Sequence, residues 1–489
     1  MKTILVIDVG TSALKVTLFT QTGALIAQAS ASYGYTSPEA NAAEADPEDW
    51  WVALPKALAG LRVDISSVGV IGFTGQMHSP VLLDADQHAL KPCLLWLDRR
   101  CAAETRELIA ALQLPPYLLN STYTLPKLVW LARHRPALLQ QARTLLFPKD
   151  YVRFRLTGVL CTDATEARGA SLLAMDSDTW AVERLQHANL SADVLPPIYT
   201  AQTDVGRPLP SVAAALGLPS DAHVLVGVGD VASILGGAPV QPGRVMATVG
   251  TSTMIYAVLP AELQQVRDEH DGIYPYDLCG FRLLGGVSSL TGGALDWAWR
   301  AFGAASGLSF AKAMEIVAAV EPGAHGLVCV PYLAGERSPF WRDDLRGMFI
   351  GLNLNHTWAH MLRAVVEGVG FSQRLLLDRF ARLGLTSLQV ALSGGAAQHA
   401  IWPRIFADTA QRTMMVHQVN SAASNVLYAL CAQTLEPDQS LATLMDRVFD
   451  PPVIIPANPA LAGVYDRQYA DYQRFVSTML GYDQPDKKL

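Results

Sequence analysis

No Cys-x-x-Cys pair occurs in the 489 residues; the six cysteines, Cys93, Cys101, Cys161, Cys279, Cys329 and Cys431, are scattered. That argues against a thiolate zinc site or a disulfide framework and fits a reducing, cytoplasmic setting. A basic excess is also missing. With 37 Lys and Arg against 44 Asp and Glu, the formal charge is -7, so no positive field gathers phosphate backbones or anionic lipid. Neither nucleic acid nor a membrane surface is expected as a partner. Long apolar runs are absent as well: Asp8 interrupts the opening run Thr3–Ile7. That run is far shorter than a signal-peptide core, and no stretch approaches the roughly 18–20 residues of a membrane span.

What is present is apolar bulk. Half the residues are hydrophobic and only 17% are charged, which suits large buried sheets and helices, and chains beyond roughly 250–300 residues tend to split into domains. The first informative segment, Thr3 to Ser12, reads as a β-branched strand ending in a Gly-Thr-Ser turn, followed by a second strand from Lys15. Arg244 to Ser252 repeats it, so that Val-Gly-Thr-Ser stands at both 9–12 and 249–252. Each copy opens one half of the chain, which implies an internal duplication into domains 1–243 and 244–489. Helical stretches are expected at 46–58, 98–112, 127–133 and 358–380, and short apolar strands at 68–73, 224–228 and 388–395. Their alternation makes both domains α/β.

Several strand ends carry chemistry. A turn at Gly10 or Gly250 leaves backbone N–H groups bare where a Cβ would obstruct a phosphate, and Thr11, Ser12, Thr251 and Ser252 add hydroxyls. An ordinary hairpin turn is the alternative for either copy alone. Asp8, next to such a turn, would be repelled by polyphosphate unless a cation intervened, which implies Mg²⁺ held through water; capping the turn is the plainer use. Asp230 follows an apolar strand at the edge where α/β proteins place ligands, and can accept a hydroxyl's proton or simply cap the next helix. Gln76, Met77 and His78 suit a neutral polyhydroxylated ligand. Asp98 offers a carboxylate for hydroxyls or a helix cap. Gly394, Gly395 and Ala396 give bare backbone on which a nucleotide could lie.

In order, Asp8-x-Gly-Thr-Ser12, Gly75-Gln-Met-His78, Trp96-x-Asp98, Pro148-Lys-Asp-Tyr151, Gly229-Asp230, Gly250-Thr-Ser252 and Gly335-Glu-Arg-Ser-Pro339 with Arg346-Gly347 resemble the FGGY carbohydrate kinase family over nearly the whole chain. The Gly-Gln-Met-His segment is most similar to its xylulokinase branch. The resemblance implies two ribonuclease-H-like, actin-like ATPase domains related by duplication, with an interdomain active-site cleft. Sugar would sit mainly on the first domain and ATP mainly on the second. It makes Asp230 the catalytic base, Gln76, Met77, His78 and Asp98 the sugar contacts, and Asp8, Thr11 and Ser12 the residues facing Mg²⁺ and the transferred phosphate. Gly250, Thr251 and Ser252 would hold the phosphate tail, and Gly394, Gly395 and Ala396 would back the nucleotide. The implied reaction converts D-xylulose to D-xylulose 5-phosphate. Val231 and Leu97 replace polar residues usual in the family, and Asn425-Val-Leu-Tyr-Ala429 replaces a small-residue segment, where a bulky residue could crowd an adenine. Another ketose, polyol or sugar acid therefore stays open, as do an actin-like ATP-binding protein, an inactive sugar-binding homologue and a homodimeric assembly.

Overall fold

The β-branched run Thr3–Val9 forms β1, and the Gly10-Thr11-Ser12 turn returns the chain antiparallel as β2 (Ala13–Thr20), with Asp8 opposite Lys15. β3 (Leu25–Ser32) completes the meander. β4 (Val68–Gly75) lies parallel to β1, and β5 (His223–Val224) parallel to β4. All eight residues of β4 are buried, as expected for a strand covered on both faces. The sheet order is β5-β4-β1-β2-β3. The structure, a computed structural model, describes residues 2–174, 177–268, 270, 272–386, 389–399 and 401–481. Leu388, where an expected strand begins, lies outside them.

A second sheet follows: β6 (Val245–Val249), β7 (Thr253–Val258), β8 (Tyr274–Leu278), β9 (Phe281–Ser288), β10 (Gln389–Ser393), β11 (Thr413–Val416) and β12 (Val453–Ile455). Its order is β8-β9-β7-β6-β10-β11-β12. Within it, β9-β7-β6-β10-β11 repeats β3-β2-β1-β4-β5 strand for strand, with the same antiparallel and parallel pairings. The repeated Val-Gly-Thr-Ser thus marks a repeated topology, with β8 and β12 added at the edges of the second copy.

The chain divides into two compact units, 1–236 with 421–448, and 237–420 with 449–489. The boundary expected at 243/244 falls at 236/237, and a segment from late in the chain joins the first unit. In that unit, Asp46 caps the helix Pro47–Gly60 by accepting from the Glu48 amide at 2.9 Å, and the helix buries Trp50, Leu54 and Leu58. The helix Ala422–Leu435 packs on β1 and β4. Gly236 allows this approach, since a Cβ there would stand 1.7 Å from the Ala422 carbonyl oxygen. Tyr428 is wholly buried within this unit, its ring 5.3 Å from that of Phe19 and its hydroxyl donating to Gln21 O at 2.9 Å. Its bulk is taken up by the core, so it has no side chain to offer an adenine. Leu97 likewise packs against the core of this unit.

In the second unit the long helix Trp358–Arg382 starts at a capping box formed by Thr357 and His360 and buries Val365, Val369, Leu376 and Phe380 against the sheet. Among the described residues no helix is long and apolar enough to cross a membrane.

Candidate active site

Because β1, β4 and β5 run parallel, the residues that follow them emerge at one edge of the first sheet. Beyond β5 the chain keeps beside β4, with the Leu225 amide on Ile71 O at 3.0 Å and the Val228 amide on Phe73 O at 3.0 Å. The Gly10 turn, the Gln76–His78 loop and Gly229–Asp230 are thereby brought together within one unit.

Asp8 stands in register with Thr74. Its carboxylate accepts no hydrogen bond from the described residues; burial raises its pKa, and Lys15 opposes the rise. The Thr74 hydroxyl is buried and also unpartnered. Asp230 begins the short turn Asp230–Ile234 without a side-chain cap. It is exposed, yet the protein packed around it and the charge of Asp8 push its pKa up to about 7, with the Val231 amide opposing. The Asp8 carboxylate, whose charge raises the pKa of Asp230, together with Asp230 and the unpartnered Thr74 hydroxyl, offers an all-oxygen donor set that fits a hard divalent cation.

The turn itself is clamped. The Gly10 carbonyl accepts from the Tyr33 hydroxyl at 2.5 Å and from Gln76 Nε2 at 3.2 Å, and Thr11 Oγ1 accepts from the Trp96 indole at 2.9 Å. Ser12 is exposed. Gln76 Oε1 is buried and unpartnered. His78 holds a left-handed backbone, φ 69°, and its Nδ1 lies 2.7 Å from the Gly169 carbonyl. Facing a carbonyl, Nδ1 must donate, so Nε2 is left as an acceptor. Burial pulls the pKa down to about 3, with Lys127 and Arg99 adding to the fall against the Gly169 bond. Met77 abuts both Gly169 and Gly229: a Cβ on either would stand 2.8 Å from Met77 Cε or 2.6 Å from its sulfur.

Asp98 is placed differently from the expectation of a sugar contact or a helix cap. It is 1% exposed. Its oxygens accept from the Ala43 amide at 3.0 Å and from Arg100 at 2.6 to 3.2 Å, while the next helix starts only at Ala102. Its geometry is that of a structural ion pair beside the loop. Sequence reasoning missed Tyr33, Lys127 and the segment Asp163–Gly169. Lys127 is buried, donates to the carbonyls of Ser121, Thr122 and Tyr123, and so fixes the loop whose Tyr123 ring lies 4.6 Å from the His78 ring.

In the second unit the Gly250 turn is built as its counterpart. The Gly250 amide donates to Ser252 O at 2.8 Å, while the Gly250 and Thr251 carbonyls accept from the amides of Thr291, Gly292 and Gly293 at 2.8 to 3.1 Å. The hydroxyls of Thr251 and Ser252 make no hydrogen bond among the described residues. Gly394 after β10 needs glycine twice over: its φ is 90°, and a Cβ would meet Val249 O at 2.5 Å. Gly395 faces open space and leads to the half-buried Ala396. The Gly-Gly pair is therefore held against the end of the strand that carries the Gly250 turn.

The N-terminal domain of the FGGY family of carbohydrate kinases matches residues 3–237, and its C-terminal domain matches residues 245–427. The xylulose kinase of Bacillus subtilis (strain 168) is 35% identical over 423 residues, covering 83% of each chain. The gluconokinase of the same organism is 26% identical over 432 residues, 84% of this chain and 83% of that one. The crystal structure of xylulose kinase from Rhodospirillum rubrum superposes with a TM-score of 0.88 at 26% identity, covering 98% of this chain and 99% of that one. The chain belongs to the FGGY family and is a sugar kinase built on two α/β units of duplicated topology.

Proposed function

We propose that the chain transfers the γ-phosphoryl group of ATP to D-xylulose, with Asp230 as the base that accepts the proton of the attacking hydroxyl. The observation that carries this reading is the contact of Met77 with Gly229, which sets the Gln76–His78 loop against the residue preceding the base. A sugar held by that loop has its hydroxyls next to the carboxylate, and positioning accounts for much of phosphoryl-transfer catalysis. His78 stays neutral and presents Nε2 as an acceptor, which suits the hydroxyl donors of an uncharged ketose. Gln76 Oε1, buried without a partner, is a second acceptor for the same ligand.

Asp8 would hold Mg²⁺, which when bound supplies neutralisation of the charge on the phosphate oxygens. On the second unit, the Gly250 turn, through the hydroxyls of Thr251 and Ser252, would take the phosphate tail, and Gly394, Gly395 and Ala396 would support the nucleotide. Thr11 and Ser12 would meet the transferred group.

A sugar acid is the second reading. Arg99 and Lys127 bring positive charge to His78, and the likeness to a gluconokinase points the same way. Lys127 is already engaged with three carbonyls, which leaves it poorly placed to receive a carboxylate. Purified protein with ATP and Mg²⁺, followed by coupled ADP release against D-xylulose, D-ribulose, glycerol and gluconate, separates these readings. D-Xylulose is expected to give the highest kcat/KM; a preference for gluconate overturns the ketose reading, and no stimulation by any sugar overturns both.

A further inference from the structure

Pro148-Lys149-Asp150-Tyr151 carries part of the family resemblance, yet the chemistry proposed above gives it no part. Pro148 opens the helix Pro148–Thr157, of which every residue but Arg155 is buried. Lys149 Nζ pairs with Asp150 Oδ1 at 2.6 Å and with Asp163 Oδ1 at 2.9 Å, and Arg153 Nη1 pairs with the same Asp150 oxygen at 2.7 Å. Thr162 donates to Asp150 Oδ2 at 2.6 Å. Two cations and two anions are thus held together out of water. Apolar residues of the same volume often stabilise a fold as well or better, so such a lattice calls for a reason other than stability.

Two lines of hydrogen bonds lead from the lattice to one loop. Arg153 Nη1 donates to Val226 O at 2.7 Å. Asp163 Oδ2 accepts from Thr165 Oγ1 at 2.5 Å, and that hydroxyl oxygen accepts from the Gly229 amide at 3.0 Å. The segment 226–229 is gripped at both ends, and Asp230 follows it directly. Glu166, beside the lattice, is wholly buried with neither carboxyl oxygen partnered. Burial raises its pKa well above the ordinary value, with Lys149 opposing the rise and Asp150, Asp163 and Asp230 adding to it.

We infer that Lys149, Asp150, Arg153 and Asp163, acting through Thr165 and the Val226 carbonyl, are the positioning residues that fix where Asp230 presents its carboxylate. The inference rests on the proposed role of Asp230 as base, and it gives the Pro-Lys-Asp-Tyr motif a function: a rigid frame behind the base, made of groups that never touch the sugar. Thr165 is the place to cut it, because its hydroxyl joins Asp163 to the loop and carries no buried charge of its own.

Thr165→Val keeps the shape of the side chain and removes the oxygen; Thr165→Ser keeps the oxygen. In the full-length protein, T165V is expected to lower kcat roughly tenfold with the sugar KM within about twofold, the order of effect of one hydrogen bond needed in the transition state, and T165S to recover most of it. Hydrogen–deuterium exchange of the peptide spanning 225–232 reads the same frame without turnover, and is expected to be roughly tenfold faster in T165V but not in T165S. Unchanged exchange in T165V overturns the inference, whatever happens to kcat. So does equal impairment of T165V and T165S. If the wild-type protein phosphorylates no sugar, the reading of function fails by itself, and faster exchange at 225–232 confined to T165V still upholds the frame.

Discussion

A carboxylate accepts a proton only where it is ionised when the hydroxyl arrives. Asp230 is pushed up to about 7 by the protein packed around it and by the charge of Asp8. Its active, deprotonated form therefore gains population as pH rises, so kcat/KM for the sugar is expected to climb through an acid limb near that value and then level off. His78, held down at about 3, stays neutral throughout and adds no limb of its own. Steady-state kinetics from roughly pH 5.5 to 9 check both statements, and a flat profile would contradict the first. Asp230→Asn removes the acceptor but not the loop that holds the sugar. Its kcat is expected to fall by about 10²–10⁴, the usual contribution of a general base, with sugar affinity by calorimetry nearly unchanged.

Among the elements, the short helix Ala164–Gly169 serves both parts of the first unit's site: Thr165 holds the Gly229 amide, and Gly169 holds His78 through its carbonyl while leaving room for Met77. Gly169→Ala would place a methyl 2.7 Å from His78 Nδ1 and 2.8 Å from Met77 Cε. The His78 ring and the end of Met77 must shift to admit that methyl. The sugar KM is expected to rise on the order of tenfold with the ATP KM unchanged, and stability in urea to drop by about 1–3 kcal/mol, as for other overpacked interiors. A KM for ATP that rises in step would show that the loop serves more than the sugar. The sequence marks this helix only by its start, Asp163 as cap with Glu166 three residues on. The turns at Gly10, Gln76 and Gly250 are legible because a β-branched strand running into glycine is a local signal. The bonds from Gly169 to His78 and from Thr165 to Gly229 join residues 91 and 64 positions apart, and only the parallel sheet brings them together. Asp98 misleads for a related reason: locally it looks like a cap or a ligand, while the Ala43 amide and Arg100 that engage it become its neighbours only through the fold.

At the scale of the whole molecule, the duplication could be read from four repeated residues because they end the corresponding strand of each sheet and turn it into the next. The return of 421–448 to the first unit could not, since chain order places that segment deep in the second half. It is a large part of the first unit's core: Val426, Leu427, Leu430 and Cys431 on its main helix are all 0% exposed. At roughly 1.5–3 kcal/mol for each large apolar side chain buried, removing the helix costs on the order of 5–10 kcal/mol, comparable to the entire stability of a typical domain, about 5–15 kcal/mol. A fragment cut at 243 is therefore expected to lack a cooperative thermal transition and to bind hydrophobic dye. Joining Gly236 to Ser421 through a short glycine-serine loop and ending at Val448 should restore cooperative melting, because Gly236 and the Ala422 carbonyl are already in contact and the loop has little distance to span. Circular-dichroism melts of the two fragments decide it. If the shorter fragment melts as cooperatively and at the same temperature as the longer one, the late helix is a cover on a finished domain and not part of its core.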